Sequence, residues 1–405
     1  MSPADQQFFT GVARGTPAGD WLRCYWHAIA VSDQGQDLRA SLKLEEKVTF
    51  DNRTATVSEW GQEFGTFKGK PMRVRILGED LVLFRDTSGK LGLLDLYCAH
   101  RRASLAYGRV REDGIACCYH GWAYDAQGRC IEMPAEPPDS KQKDNVSITA
   151  YPVRELGGMI FAYLGKGEPP VLPMLDIFAR NDGVRAVENF GLWGTHWLQI
   201  VENSVDPVHT GILHATGTLR SDLWNRIPAI DFTPDRFGIQ TRQTRGDYDR
   251  TGYLRFPSTM LINHPWPGGK INHPRYTAII RTPVDDTHTL LFHVTFTPHV
   301  GGRLPEALGG MPLHLADFVQ TIFQQDYEAV VSQGPIYDRT AERLGTTDRG
   351  VLLLRRLLRE QITAVQRGED PSGVMRGREW ERVIDSAEKV TDGFMKAAAM
   401  AEAAR

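Results

Sequence analysis

The chain has 405 residues, too many for one ordinary domain and enough for two or three. Lys plus Arg number 47 against 50 for Asp plus Glu, and the net charge of −3 argues against nucleic acid or an anionic membrane surface as a target. Glycine and proline, at 39 and 23, exclude low-complexity disorder. The five cysteines are odd in number and sparse, which excludes a disulfide scaffold and favours a cytoplasmic chain.

Residues 1–44 read as a helical lead-in, with Trp21, Leu22, Tyr25, Trp26 and Ile29 near helical spacing. The N-terminus lacks a basic segment followed by an apolar run, and Val351 to Leu358 is broken by Arg355 and Arg356, so no membrane span is expected. Residues 45–165 change texture. Short segments such as Arg73-Val-Arg-Ile-Leu, Leu81-Val-Leu-Phe and Leu91-Gly-Leu-Leu-Asp-Leu alternate with the turns Gly78-Glu-Asp, Asp86-Thr-Ser-Gly and Asp125-Ala-Gln-Gly. This is an all-β module, closed by the Pro-rich exit Glu168-Pro-Pro-Val-Leu-Pro.

Residues 180–405 are mixed. Leu192 to His214 is helical in part, 237–256 and 276–298 read as strands, and the last hundred residues have helical periodicity through Phe318, Ile322, Val330 and Val351 to Ile362. The expected class is α+β: an all-β domain, then a larger one with an antiparallel sheet flanked by helices.

Four of the five cysteines fall between 98 and 130. There the sequence runs Cys98-Ala-His100-Arg-Arg, then Cys117-Cys-Tyr-His120-Gly-Trp: C-x-H, sixteen residues, C-x-x-H. Each loop offers one thiol and one imidazole, with Gly108 and Gly121 supplying backbone freedom nearby. Two chemistries fit: tetrahedral zinc, and a Rieske 2Fe-2S cluster with two Cys on one iron and two His on the other. Zinc fingers usually pair like ligands in each knuckle, which weighs against zinc.

The second constellation is Glu202-Asn203-x-x-Asp206-x-x-His209-x-x-x-x-His214. On a continuous helix residues 202, 206 and 209 share one face. His214 lies roughly 140° round from His209, so the two imidazoles meet only where the helix ends or distorts, for which Pro207 and Gly211 are suited. Two histidines and one carboxylate with open positions form the facial triad of non-haem Fe(II) oxygenases.

These motifs together resemble the catalytic subunits of Rieske non-haem iron ring-hydroxylating oxygenases. Residues 332–356 resemble the phthalate-dioxygenase-like branch, most of them read as loop and helix-capping chemistry. The resemblance runs from Trp21 to Arg356 and implies the following assignments. Cys98, His100, Cys117 and His120 hold the cluster. His209 and His214 hold the mononuclear iron with a carboxylate from a C-terminal helix. Asp326 is the choice there, with Asp317 and Glu328 as rivals. Asp206 is not a ligand; it bridges His209 to His120 of a neighbouring subunit in a head-to-tail homotrimer or stacked hexamer. Asn203 faces the iron pocket, and Glu202 is a structural or proton-supplying carboxylate.

The family's usual Pro and Gly beside the first cluster loop are here Ala99 and Arg102. Tyr119 takes the place of the cysteine that closes a disulfide in respiratory Rieske proteins. This leaves Cys118 as a free thiol expected buried near the cluster, and Cys24 and Cys130 as small core residues. The implied activity is hydroxylation, dihydroxylation or O-demethylation of an aromatic acid or aryl ether, with O2 and electrons from an NAD(P)H-dependent reductase. Candidate carboxylate partners are Arg220, Arg226, Arg236, Arg245, Arg255 and Arg275, and candidate pocket aromatics are Trp224 and Phe256. An electron-transfer or binding protein without oxygenase chemistry is the competing reading.

Overall fold

The structure, a computed structural model, describes residues 2–34, 44–214, 227–246, 248–265, 274–303 and 316–385. The β texture of the first half becomes small antiparallel sheets. Met72–Ile76, Glu79–Arg85 and Leu91–Asp95 form one, and Arg109–Val110, Ile115–Ala116, Ala123–Tyr124 and Cys130–Glu132 form a second. The two sheets share a core of Val82, Phe84, Leu94, Ile115, Trp122 and Tyr124 with the thiols of Cys98 and Cys117.

The lead-in departs from expectation. Helices cover only Pro3–Thr10 and Pro17–Leu22, and Trp26–Val31 is a strand paired with Met159–Tyr163. The helical reading of Trp26 and Ile29 fails because every residue from 26 to 31 is buried, so there is no polar face for periodicity to reveal.

The second half is built on a seven-stranded antiparallel sheet. In spatial order its strands are Gly183–Trp193, Thr289–Pro298, Pro274–Pro283, Thr259–Pro265, Tyr248–Arg255, Gly238–Arg245 and Ala229–Asp235. The helices Ala316–Val331 and Arg349–Gln366 match the C-terminal periodicity. Leu254, on the sheet, and Leu354, Leu358 and Ile362, on the last helix, share a core with Trp197, Leu198 and Val201.

His27 and His196 are buried to 2% and 0% exposure, with side-chain hydrogen bonds to Leu22 O and Thr10 O. Burial holds His27 neutral down to about 4 and His196 down to about 3. Both values lie below the ordinary 6.5, so between these limits the unfolded chain binds more protons and acid favours it. Stability should therefore fall as pH drops below about 6.5, by roughly 3 kcal/mol for the pair between pH 6.5 and 5. Urea unfolding at the two pH values measures this; a flat profile would remove the two histidines as its cause.

Candidate active site

In the small domain Cys98 and Cys117 are buried in mutual contact, while the rings of His100 and His120 sit at the surface, 4.5 Å apart. Trp122 stacks on His100 at 4.6 Å and fixes its plane. The Tyr124 hydroxyl donates to Cys98 Sγ at 3.2 Å and accepts the Ala99 N–H at 3.1 Å. Gly121 has φ +76, and a side chain there would press on Pro134, so the second loop requires glycine. Arg102 stands where the family has Gly and does adopt φ +57, a conformation that costs an ordinary residue roughly 1 kcal/mol. Its guanidinium reaches Asp95 at 3.5 Å and covers the Tyr97 ring.

None of the five cysteines is in a disulfide. Cys130 is buried and Cys24 packs partly buried against the core, its thiol pushed up to about 11 by burial. Cys118 is exposed, which corrects the expectation of a buried thiol: the turn closed by Gly121 N–H to Cys117 O leaves residues 118 and 119 facing solvent.

In the larger domain the helix Trp197–Asn203 stops before Asp206, and a separate turn spans His209–Ile212. Pro207 lacks an N–H and disfavours helical Asp206, which is the physical reason. Glu202, Asp206 and His209 therefore do not share a helical face, contrary to the spacing argument. The distortion between His209 and His214 occurs as expected, and their rings come to 5.4 Å.

Asp326, on the helix Ala316–Val331, completes the group. Its Oδ1 is 3.7 Å from His209 Nε2 and 3.4 Å from His214 Nε2, and one atom from each residue lies within 4.8 Å of the others. Of the rivals, Glu328 is exposed and hydrogen-bonded to Gln324; the Asp317 side chain lies outside the described residues.

The outward nitrogens are also held. His209 Nδ1 contacts the Asp206 main-chain oxygen and lies 3.7 Å from its carboxylate; His214 Nδ1 pairs with Gln325 Oε1 at 2.9 Å. Both Nε2 atoms are thereby turned toward Asp326, as two imidazoles sharing a metal require. Burial acts to lower the His209 pKa, but the carboxylates of Asp206 and Asp326 raise it above 6.5. Asn203 Nδ2 lies 3.4 Å from both His209 Nε2 and Asp326 Oδ1. The Asp206 side chain is 31% exposed, so this polar link reaches the surface.

Glu202 points away from the triad. Its carboxylate accepts from Arg355 Nε at 2.7 Å, Arg339 NH2 at 3.1 Å and Tyr337 OH at 3.0 Å. Burial works to raise its pKa, yet the two guanidiniums hold it below the usual carboxylate range, so it is an ionised clamp and not a proton source. Tyr337, Arg339 and Arg355 are thus more than the loop and capping residues expected of that segment.

Other candidates scatter. Arg220, Trp224 and Arg226 lie outside the described residues, as does the Arg275 side chain. Arg255 is bound bidentately by Asp235, Arg236 lies over Trp380, and Phe256 packs on Trp21 in the opposite core. Arg245 is buried against Gln243, Pro207 O and Thr210. Gln325 is a functional side chain that no sequence motif marks; its only signal is its place beside Asp326.

Residues 61–152 match the Rieske [2Fe-2S] domain. Over 381 residues the chain is 35% identical to the 5,5'-dehydrodivanillate O-demethylase oxygenase subunit of Sphingobium sp. (strain NBRC 103272 / SYK-6), covering 90% of this chain and 81% of that one. It is 32% identical to the phthalate 4,5-dioxygenase oxygenase subunit of Pseudomonas putida, covering 75% and 80%. The fold is similar to that of NdmA from Pseudomonas putida CBB5, at TM-score 0.63 and 20% identity over 86% of this chain and 92% of that one.

The chain therefore belongs to the Rieske non-haem iron oxygenases, as a catalytic subunit of the phthalate-dioxygenase-like branch. It is an oxidoreductase that incorporates oxygen from O2, and its cofactors are a Rieske 2Fe-2S cluster and a mononuclear non-haem iron. The zinc and electron-transfer-only readings fall away. The donor sets suit the two groups: paired buried thiols beside paired surface imidazoles in one domain, two imidazoles and a carboxylate in the other. Among the described residues no helix is long and apolar enough to cross a membrane.

Proposed function

We propose that this oxygenase hydroxylates, dihydroxylates or O-demethylates an aromatic acid or aryl ether in the cytoplasm, fed by an NAD(P)H-dependent reductase. The observation that carries the site assignment is the convergence of His209, His214 and Asp326, with Asn203 against two of them. These three would hold the iron, and Cys98, His100, Cys117 and His120 the cluster; together the two centres supply one-electron transfer and activation of dioxygen.

The protein's own groups do the positioning. Asp206 and Gln325 hold the two imidazoles by their Nδ1 sides, and Asn203 donates an amide N–H to Asp326 Oδ1. Asp206 reaches out of the chain, and in a head-to-tail trimer or stacked hexamer it would meet His120 of the next copy. The division into a lead-in to residue 44, a cluster domain over 45–165 and a catalytic domain over 180–405 belongs to the same proposal.

The test is spectroscopic and chemical. The purified protein should be red-brown, give a Rieske EPR signal on reduction and contain about three irons per chain. Oxygen uptake coupled to reductant should appear with aromatic acids or aryl methyl ethers, formaldehyde marking demethylation and a cis-diol marking dioxygenation. Oxygen uptake with neither class would sink the substrate reading.

A further inference from the structure

The seven-stranded sheet has two unlike faces. Residues two apart on a strand share a face, and the pairings Gln243↔Arg250, Gly252↔Ile262, Ile262↔Thr277 and Ile279↔His293 carry one face across five strands. Among its apolar residues that face carries buried polar ones: Gln243, Arg250, Thr277, Arg281 and His293 are each no more than 9% exposed. The other face carries Tyr253, Leu261, Ala278, Ile280, Phe292 and Val294. His293 packs on Phe323, on the same helix as Asp326, so this face is turned toward the helix that bears the triad's carboxylate.

Arg281 stands out on it. It is 3% exposed and makes no ion pair among the described residues; its one side-chain hydrogen bond runs from NH1 to Ile279 O, and its Nε has no partner. Three other buried guanidiniums have a carboxylate partner: Arg255 has Asp235, and Arg339 and Arg355 have Glu202. An unpaired buried cation is costly. Asp326 is the carboxylate whose charge acts on Arg281, and burial outweighs it, lowering the guanidinium to about 10. Asp326 is also the carboxylate that an iron at the triad would neutralise. With ferrous iron on it and two neutral imidazoles, the triad, Asp206 and Arg281 taken together would carry a net positive charge.

We propose that Arg281 anchors the carboxylate of the substrate, its free Nε and second amino group facing an anion that enters with the ring. The inference deepens the proposed function and rests on it. A guanidinium fork suits a carboxylate better than a neutral amide of the same shape.

The test compares holoenzyme with Arg281→Gln and Arg281→Lys. The probes are phthalate, vanillate and 3-phenoxybenzoate, each against its primary carboxamide, by calorimetric binding as well as oxygen uptake. The wild type should bind an acid at least about 10-fold tighter than its amide. Arg281→Gln should weaken that acid by about 10- to 100-fold and the amide by less than about 3-fold, with Arg281→Lys between. Cluster absorbance confirms folding, and Arg281→Lys carries the comparison where the glutamine variant does not fold. Equal losses for acid and amide, or no acid preference in the wild type, overturn the proposal. Turnover of neutral aryl ethers with no binding of any acid overturns it while the proposed function stands; absence of uptake with either class removes both.

Discussion

Asp206→Asn should leave the visible spectrum and the iron content unchanged and lower turnover by about 100-fold or more. The carboxylate lies 3.7 Å from His209 Nδ1, and burial is outweighed by His209 in holding it below the usual carboxylate range. Asparagine keeps the size and removes the charge. Groups behind a metal-bound imidazole commonly contribute 10- to 100-fold to activity. In the proposed bridging role the loss is larger, because the electron supply would run through Asp206. Single-turnover measurement separates the two roles. A prereduced variant that oxidises its cluster slowly while binding substrate normally supports the bridge; normal cluster oxidation would leave Asp206 only an orienting part. Full turnover in the variant would falsify both.

Glu202→Gln should destabilise the protein by about 3–5 kcal/mol, the usual cost of removing one member of a buried ion cluster. The change leaves Arg339, with a fully buried side chain, and Arg355, at 8%, without their shared anion. Glu342 also binds Arg355 and offsets part of the loss; Arg339 has no second carboxylate among the described residues. The clamp joins the helix bearing Asn203 to the last long helix, so iron should also be lost more readily during a thermal melt. Because the Glu202 carboxyl is held below its ordinary value, its contribution is present above about pH 4.5 and disappears as pH falls through the folded value. Calorimetry at pH 7 checks the prediction, and an unchanged midpoint would mean that the two arginines find other partners.

Much of this was legible in the sequence because it is local. C-x-H and C-x-x-H put a thiol and an imidazole on each of two tight turns, and no distant residue is needed to read them. Asp326 needed the resemblance, since nothing in the 111 positions between His214 and Asp326 says which helix returns. Trp26–Val31 was misread because full burial erases the alternation that marks a strand. The sequence does not decide between two roles for Glu202 because its arginines lie 137 and 153 residues away.

By itself the sequence determined the class of fold, the Cys-His pair on each cluster loop and the closely spaced His209 and His214, all set by covalent spacing and backbone sterics. Only the tertiary structure decided that Glu202 is a clamp, that Gln325 supports His214, that Cys118 faces solvent and that Arg281 is a buried cation without a counterion. Each of these depends on which distant groups share a low-dielectric space, and burial, not spacing, sets their charge and their cost.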